Sequence, residues 1–192
     1  MPLTKAKTFT PTLALNKYQS GHYYTQPVIT TTTAAANSGF MVTFPIYFPN
    51  ITIDRIGCLV TVAGGAGSLG RLGIYYPSLT QCYPGSLLLD AGTVSVAATG
   101  NREITISQTL SEGIYWLTYL ADTVVGSAPT LRQQSTLINQ FAPITSGNTI
   151  FQSGQGFRAA GVSSGSLPAT FPAGATDLGG SGGIHIIYTR IA

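Results

Sequence analysis

LGIYYPSLTQCYPGSLLLDAGTVSVAATGNREITISQTLSEGIYWLTYLA, residues 72–121, alternates short apolar runs with turn clusters at nearly regular intervals. That rhythm is how a chain folds back and forth into packed antiparallel sheets. Ile104 and Ile106 alternate with Glu103 and Thr105, which puts isoleucine on one face of a strand and polar groups on the other. Leu72, Ile74 and Tyr76 alternate in the same way with Arg71, Gly73 and Tyr75. LDAGTV, residues 89–94, reads as a strand interrupted by a turn, and Glu112 and Gly113 mark the next reversal. IYWLTYLA, residues 114–121, is apolar on both parities. Such a strand is either central between two covered faces or presents aromatics to a partner, and the central position is the plainer expectation.

The same pattern extends upstream. Ile51 and Ile53 occupy odd positions while Ile56, Cys58, Val60 and Val62 occupy even ones, so the inward face changes parity around Asp54 and Arg55. One extra residue does this, which predicts a bulge or short corner there. GGAGSLG, residues 64–70, then reverses the chain. FMVTFPIYF, residues 40–48, reads as a strand kinked at Pro45, and residues 18–33 as an edge strand or one broken at Pro27. Residues 1–16 carry Pro2 and Pro11 and no sustained period, which predicts an extended arm with Leu3, Phe9, Leu13 and Leu15 as apolar hooks.

Downstream the pattern weakens. Residues 122–183 are expected to hold two or three short strands joined by long ordered loops, and residues 161–183 are loop by composition. Residues 184–191 form a strong apolar closing strand that must be paired within a sheet. The total is about eight strands with long crossings, which predicts an all-β antiparallel β-sandwich of jelly-roll type over a seven-strand immunoglobulin domain. The domain expectation is a basic arm over residues 1–17 and one sandwich over residues 18–192.

Charged residues make up 8% of the 192-residue chain, against about 25% in ordinary domains. A body with so little colloidal repulsion suits life in an assembly or on a large particle. Lys5, Lys7 and Lys17 are the only lysines, and from Tyr18 onward six arginines face six acids, so the net charge of +3 belongs to the arm. A nucleic-acid footprint needs a denser basic patch with interleaved aromatics, so an acidic protein surface is the expected counterpart. Cys58 and Cys82 are too few for a disulfide framework and lack metal-ligand spacing; Cys58 reads as a small buried hydrophobe, and reduced thiols are expected. The first residues contain no signal-peptide core and no stretch approaches a membrane span, so neither export by a leader nor a membrane partner is expected.

No residue pattern announces catalysis. His22 and His185 stand outside any recognisable nucleophile motif and read as structural or surface residues. The six carboxylates form no glycosidase or calcium signature, and Asp54 and Asp90 suit turns or bulges. The Gly-rich pieces lack the residues and context of a phosphate loop. The expectation is a non-enzymatic protein without metal or cofactor. The aromatics Tyr75, Tyr76, Tyr83, Tyr115, Trp116 and Tyr119 fit core or subunit packing first; Tyr75, Tyr76, Tyr83 and Tyr119 are the candidates for a partner or glycan surface.

With these residues laid out, the sequence resembles a module recurrent in tailed-bacteriophage virion proteins, over residues 20–132. SGHYYTQP (20–27), DRIGCLVTVAGGAGSLGRLGIYY (54–76), residues 83–121 and APTLR (128–132) carry the resemblance. The resemblance implies either a capsid decoration protein or the outer head of a trimeric fibre. Only some twenty residues precede the module, too few for a fibre shaft, which makes a capsid cement or decoration protein on the shell exterior the leading expectation. The major capsid protein is then its partner, contacted by Lys5, Lys7, Phe9, Leu13, Leu15 and Lys17, with the protein a homo-oligomer, dimer or trimer, made in the host cytoplasm. The alternative is a tail-fibre or receptor-binding head that recognises a host surface glycan.

Overall fold

The structure, a computed structural model, describes residues 18–25, 30–136, 153–179 and 183–192. In chain order its strands are β1 (Tyr23–Tyr24), β2 (Thr30–Ala35), β3 (Met41–Phe48), β4 (Ile51–Val62), β5 (Leu69–Pro77), β6 (Pro84–Ser95), β7 (Gly100–Leu110), β8 (Gly113–Thr123), β9 (Thr130–Thr136), β10 (Ser153–Ala159), β11 (Thr176–Gly179), β12 (Ile184–His185) and β13 (Ile187–Ile191). No helix occurs among the described residues, and every ladder is antiparallel.

Two sheets pack into a β-sandwich. One runs β1-β13-β4-β9-β12, with β2 added to β9 and β7 to β4; the other runs β11-β10-β3-β8-β5-β6. Eight of the strands pair in nested fashion, β5 with β6, β4 with β7, β3 with β8 and β2 with β9. Successive pairs fall in alternate sheets, so the chain behaves as one long hairpin rolled around a core. The remaining strands extend this frame: β10 and β11 prolong the second sheet beyond β3, while β1, β12 and β13 complete the first.

The parity change in β4 is a bulge. Register slips between Ile53 and Arg55 against β7 and again against β13, and Ile53, Ile56, Cys58 and Val60 are all buried in consequence. Asp54, the extra residue, is turned out to meet Arg190 of β13, whose Nε and Nη2 donate to its two carboxylate oxygens at 2.9 and 2.6 Å. Pro45 sits where β3 has one neighbour: β10 pairs only with residues 41–43, so the missing N–H disrupts no second ladder.

β8 is central, between β3 and β5, and covered on both faces. Tyr115, Leu117, Tyr119 and Ala121 enter the core between the sheets, where they meet Phe44, Ile56 and Ile187. Trp116 and Leu120 point the other way, into a second apolar cluster with Met41, Tyr75, Leu167 and Phe171. That cluster lies under residues 160–175, which cross the outer face of the second sheet. The Gly- and Ser-rich composition of this segment conceals its role as a lid over Trp116 and Leu120 of β8.

Charge pairs fasten that lid. Arg71 donates from Nε to Asp122 Oδ1 at 2.9 Å and from Nη1 to both Asp90 oxygens at 3.0 and 3.1 Å. The same carboxylates accept from the lid backbone, Asp122 from Gly165 N at 2.9 Å and Asp90 from Leu167 N at 3.0 Å. Gly73 makes room for Leu167, since a Cβ there would stand 2.1 Å from Leu167 Cδ1.

β9 pairs with β4 only at Val60 and Val62 and then departs. β13 takes over the vacated edge of β4, while β12, just before it, pairs with the departing half of β9.

Candidate functional site

The arm residues singled out for partner contact, Lys5, Lys7, Phe9, Leu13, Leu15 and Lys17, lie outside the described residues. Its root is described in full. Tyr18 donates its hydroxyl to Tyr47 O at 2.8 Å, and its ring lies 4.7 Å from that of Tyr24 and 6.3 Å from that of Phe48. Gly21 N donates to Ile191 O at 2.9 Å, Ile191 N returns a bond to His22 O at 3.1 Å, and β1 then pairs with β13. His22 is exposed, with Nδ1 3.1 Å from Ser20 O.

The aromatic candidates separate. Tyr75 and Tyr119 are buried and offer no face to a ligand, which corrects their assignment to a partner or glycan surface. Lid burial is the reason for Tyr75, whose hydroxyl donates to Pro168 O at 2.8 Å. Tyr119 is consumed by the core between the sheets. Tyr83 is half-buried against Phe157 and Phe171 at ring distances of 4.5 and 5.5 Å, and its hydroxyl donates to Pro172 O at 2.5 Å, so it too serves the lid. Tyr76 alone of the four is exposed, leaning on Tyr115 at 5.9 Å. Tyr76 keeps the parity of Leu72 and Ile74, as its contact with Tyr115 shows, but stands near the end of β5 where cover from the opposite sheet runs out.

The aromatic groove that does form uses other residues. On the outer face of the first sheet Tyr23, Tyr24, Tyr188, Ile186, Leu59 and Arg132 line a concavity of about 350 Å³. Tyr23 stands edge-on to Tyr188 at 5.5 Å, and the Arg190 guanidinium lies 5.9 Å over the Tyr23 ring. Arg190 in turn holds the Asp54 carboxyl below the usual carboxylate range through their paired hydrogen bonds. Of these walls, Tyr23 and Tyr24 come from the opposite end of the sequence to Ile186 and Tyr188, and β1 pairing with β13 brings them together over Leu59 of β4 and Arg132 of β9. SGHYYTQP, conspicuous in the sequence, was the one local sign of them.

A second concavity opens between the sheets where β2 and β9 face β3 and β10. It has a volume of about 260 Å³ and is lined among others by Asn37, Phe40, Gln133, Arg158, Gly183 and His185. His185, expected to be structural or surface, is buried, with its ring 5.4 Å from Tyr119. Burial pushes its pKa down to about 4, so the imidazole is neutral at pH 7. Cys58 is buried as expected, its thiol pushed up to about 12 by burial; Cys82 is exposed, and neither forms a disulfide. Among the described residues no group of three His, Cys, Asp or Glu side chains could hold a metal ion. No helix among them is long and apolar enough to cross a membrane.

No protein-family model matches the sequence, and no curated protein matches it either. Among solved structures the chain is similar to the cysteine protease and lectin-like domains of Cwp84, a surface-layer-associated protein of Clostridium difficile. The identity is 10%, the match covers 84% of this chain and 36% of that one, and the TM-score is 0.45.

Proposed function

We propose that this protein is a structural component of a tailed-bacteriophage virion, a non-enzymatic cement or decoration protein on the outside of the capsid. Its sandwich, read as a jelly roll from the nested pairing of β2 to β9, is the rigid body. Its N-terminal arm is the strap that crosses neighbouring subunits of the major capsid protein. The resemblance to phage virion modules supplies the setting, and synthesis in the host cytoplasm goes with it.

The observation that carries the anchoring role is the arm root. Tyr18, Gly21 and His22 tie the start of the described chain to Tyr47 and to the terminal strand β13, so a pull on the arm is transmitted into both sheets. A tail that merely solvates the chain has no need of such a junction. Charge placement agrees. In the body Arg71 is paired to Asp90 and Asp122 and Arg190 to Asp54, whereas the lysines of residues 1–17 stand ahead of these pairs in sequence. Contacts made only on the assembled shell stabilise it by mass action, and a homo-oligomer multiplies them.

Deletion of residues 1–16 tests this. Purified capsids are expected to lose the truncated protein while retaining the full-length one; full occupancy by the truncated protein sinks the anchoring role. Micrographs of virions labelled at the C-terminus then separate shell from tail: label at the tail tip assigns the fibre-head role in its place.

A further inference from the structure

The cleft between the sheet edges has a chemistry that the anchoring role does not use. Gln133 and His185 are each 7% exposed, and Gln133 Oε1 and His185 Nδ1 have no hydrogen-bond partner. Both side chains line the cleft. Buried polar atoms are nearly always satisfied, so two orphans on residues that line one cavity call for a group that brings hydrogen bonds with it. Gln133 is also held in place by its surroundings: a Cβ on Gly183 would overlap its amide, which therefore lies flat on the glycine.

The mouth adds charge and an apolar surface. Arg158 is exposed, stacks its guanidinium 5.2 Å over the half-buried Phe40 ring, and is paired with no carboxylate among the described residues. No acid is among the described residues that line the cleft, and Asn37 adds an exposed amide. The ligand that matches has a carboxylate for Arg158, hydroxyls for Gln133, His185 and Asn37, and a C–H face for Phe40. At about 260 Å³, just below the roughly 300–1,000 Å³ of pockets for drug-sized ligands, the space admits a single sugar ring.

We infer that the cleft bounded by Phe40, Gln133, Arg158 and His185 binds one acidic sugar residue, a hexuronic acid unit of a surface polysaccharide. The Arg158 guanidinium pairs with the sugar carboxylate, Gln133 Oε1 accepts from a ring hydroxyl, and His185 Nδ1 shares a hydrogen bond with a second. The proposed contacts use no arm residue, so the site serves a decorated shell and a fibre head equally.

Saturation-transfer NMR on the full chain tests this with sodium galacturonate, galactose and sodium acetate as probes. Transfer to the galacturonate ring protons is expected, with galactose and acetate each at least about tenfold weaker, as loss of one charge-assisted contact implies. Arg158→Gln, a surface change, is expected to weaken galacturonate by about tenfold while leaving the thermal midpoint unchanged. No transfer from galacturonate overturns the inference, and so does equal binding by Arg158→Gln. Galactose binding as well as galacturonate removes the acidic component, and acetate binding as well removes the sugar. Because the proposed contacts are made by Phe40, Gln133, Arg158 and His185, the variant lacking residues 1–16 is expected to bind galacturonate like the full chain whatever its behaviour on capsids.

Discussion

Tyr18 and Tyr47 are joined by a 2.8 Å hydrogen bond from the Tyr18 hydroxyl to the Tyr47 carbonyl oxygen, which fixes the point where the arm meets the sandwich. Tyr18→Phe keeps the ring contacts with Tyr24 and Phe48 and is expected to cost about 1 kcal/mol, the net worth of one such bond. Tyr18→Ala is expected to cost about 2 kcal/mol, below the roughly 3–5 of a fully buried aromatic, because this ring is half-buried. Urea unfolding measures both. In the anchoring role Tyr18→Ala also lowers capsid occupancy, and unchanged occupancy counts against a mechanically coupled arm.

His185 makes stability fall on mild acidification. Its folded pKa, about 4, lies below the ordinary value of 6.5, so the unfolded chain takes up the proton first. The contribution is intact above pH 6.5 and declines as pH falls toward 4, by up to about 3 kcal/mol at one pKa unit to 1.36 kcal/mol. His185→Gln is expected to flatten the stability profile between pH 6.5 and 4. A wild-type profile already flat across that window contradicts a buried neutral imidazole.

Asp122 acts at lower pH. Burial opposes its charged form, but the Gly165 amide and Arg71 outweigh that and hold the carboxyl below its ordinary 3.8. Its contribution is therefore present above about pH 4 and is lost as pH falls through the depressed folded value. Asp122→Ala removes one acceptor from Arg71 and from the lid, and is expected to cost about 1.5–3 kcal/mol, as for a lost charge-assisted hydrogen bond, because Arg71 keeps Asp90. Proteolysis within residues 160–175 is expected to accelerate in step; a resistant lid in this variant shows that Asp90 alone secures it.

Leu167→Ala tests the lid from its apolar side. The side chain is 4% exposed and sits on Gly73, so truncation is expected to cost about 2–5 kcal/mol. Intrinsic fluorescence is expected to shift to the red as Trp116, the only tryptophan, loses cover. A spectrum identical to wild type excludes the lid from that role.

Thiol labelling distinguishes the two cysteines. Cys82 is exposed and is expected to react with a maleimide in the native state, whereas Cys58, with its thiol raised to about 12 in the core, reacts only after denaturation. Two fast thiols in the native protein place Cys58 outside the core.

Much of the sandwich was legible because its signals are local. Ile53 and Ile56 on opposite parities announce the bulge at Asp54, and Ile104 and Ile106 announce an amphipathic strand. IYWLTYLA on both parities anticipates a doubly covered strand, and the structure supplies the covers. Strand count is the exception: about eight were expected and thirteen occur among the described residues; β13, read as the closing strand, alternates as a strand should, whereas β1, β11 and β12 are two to four residues long, too short to show a period. The concavities were not legible. Tyr23 and Tyr188, or Gln133 and Arg158, become neighbours through strand pairing between distant segments, and nothing in the spacing of single residues records that. Tyr75 misled for the converse reason: its exposure depends on a Ser- and Gly-rich segment whose two anchors, Leu167 and Phe171, are isolated apolar residues, while Tyr119 is taken up by the core between the sheets.

The arrangement at β4 also sets a clock for folding. β9 covers only the end of β4, and residues 53–58 find their partner in β13. During synthesis these positions wait more than a hundred residues for it, with a bare apolar edge, the kind that pairs with other chains. Closure is thus a late, long-range step, and slow folding with a risk of intermolecular strand exchange is the kinetic signature expected of this topology.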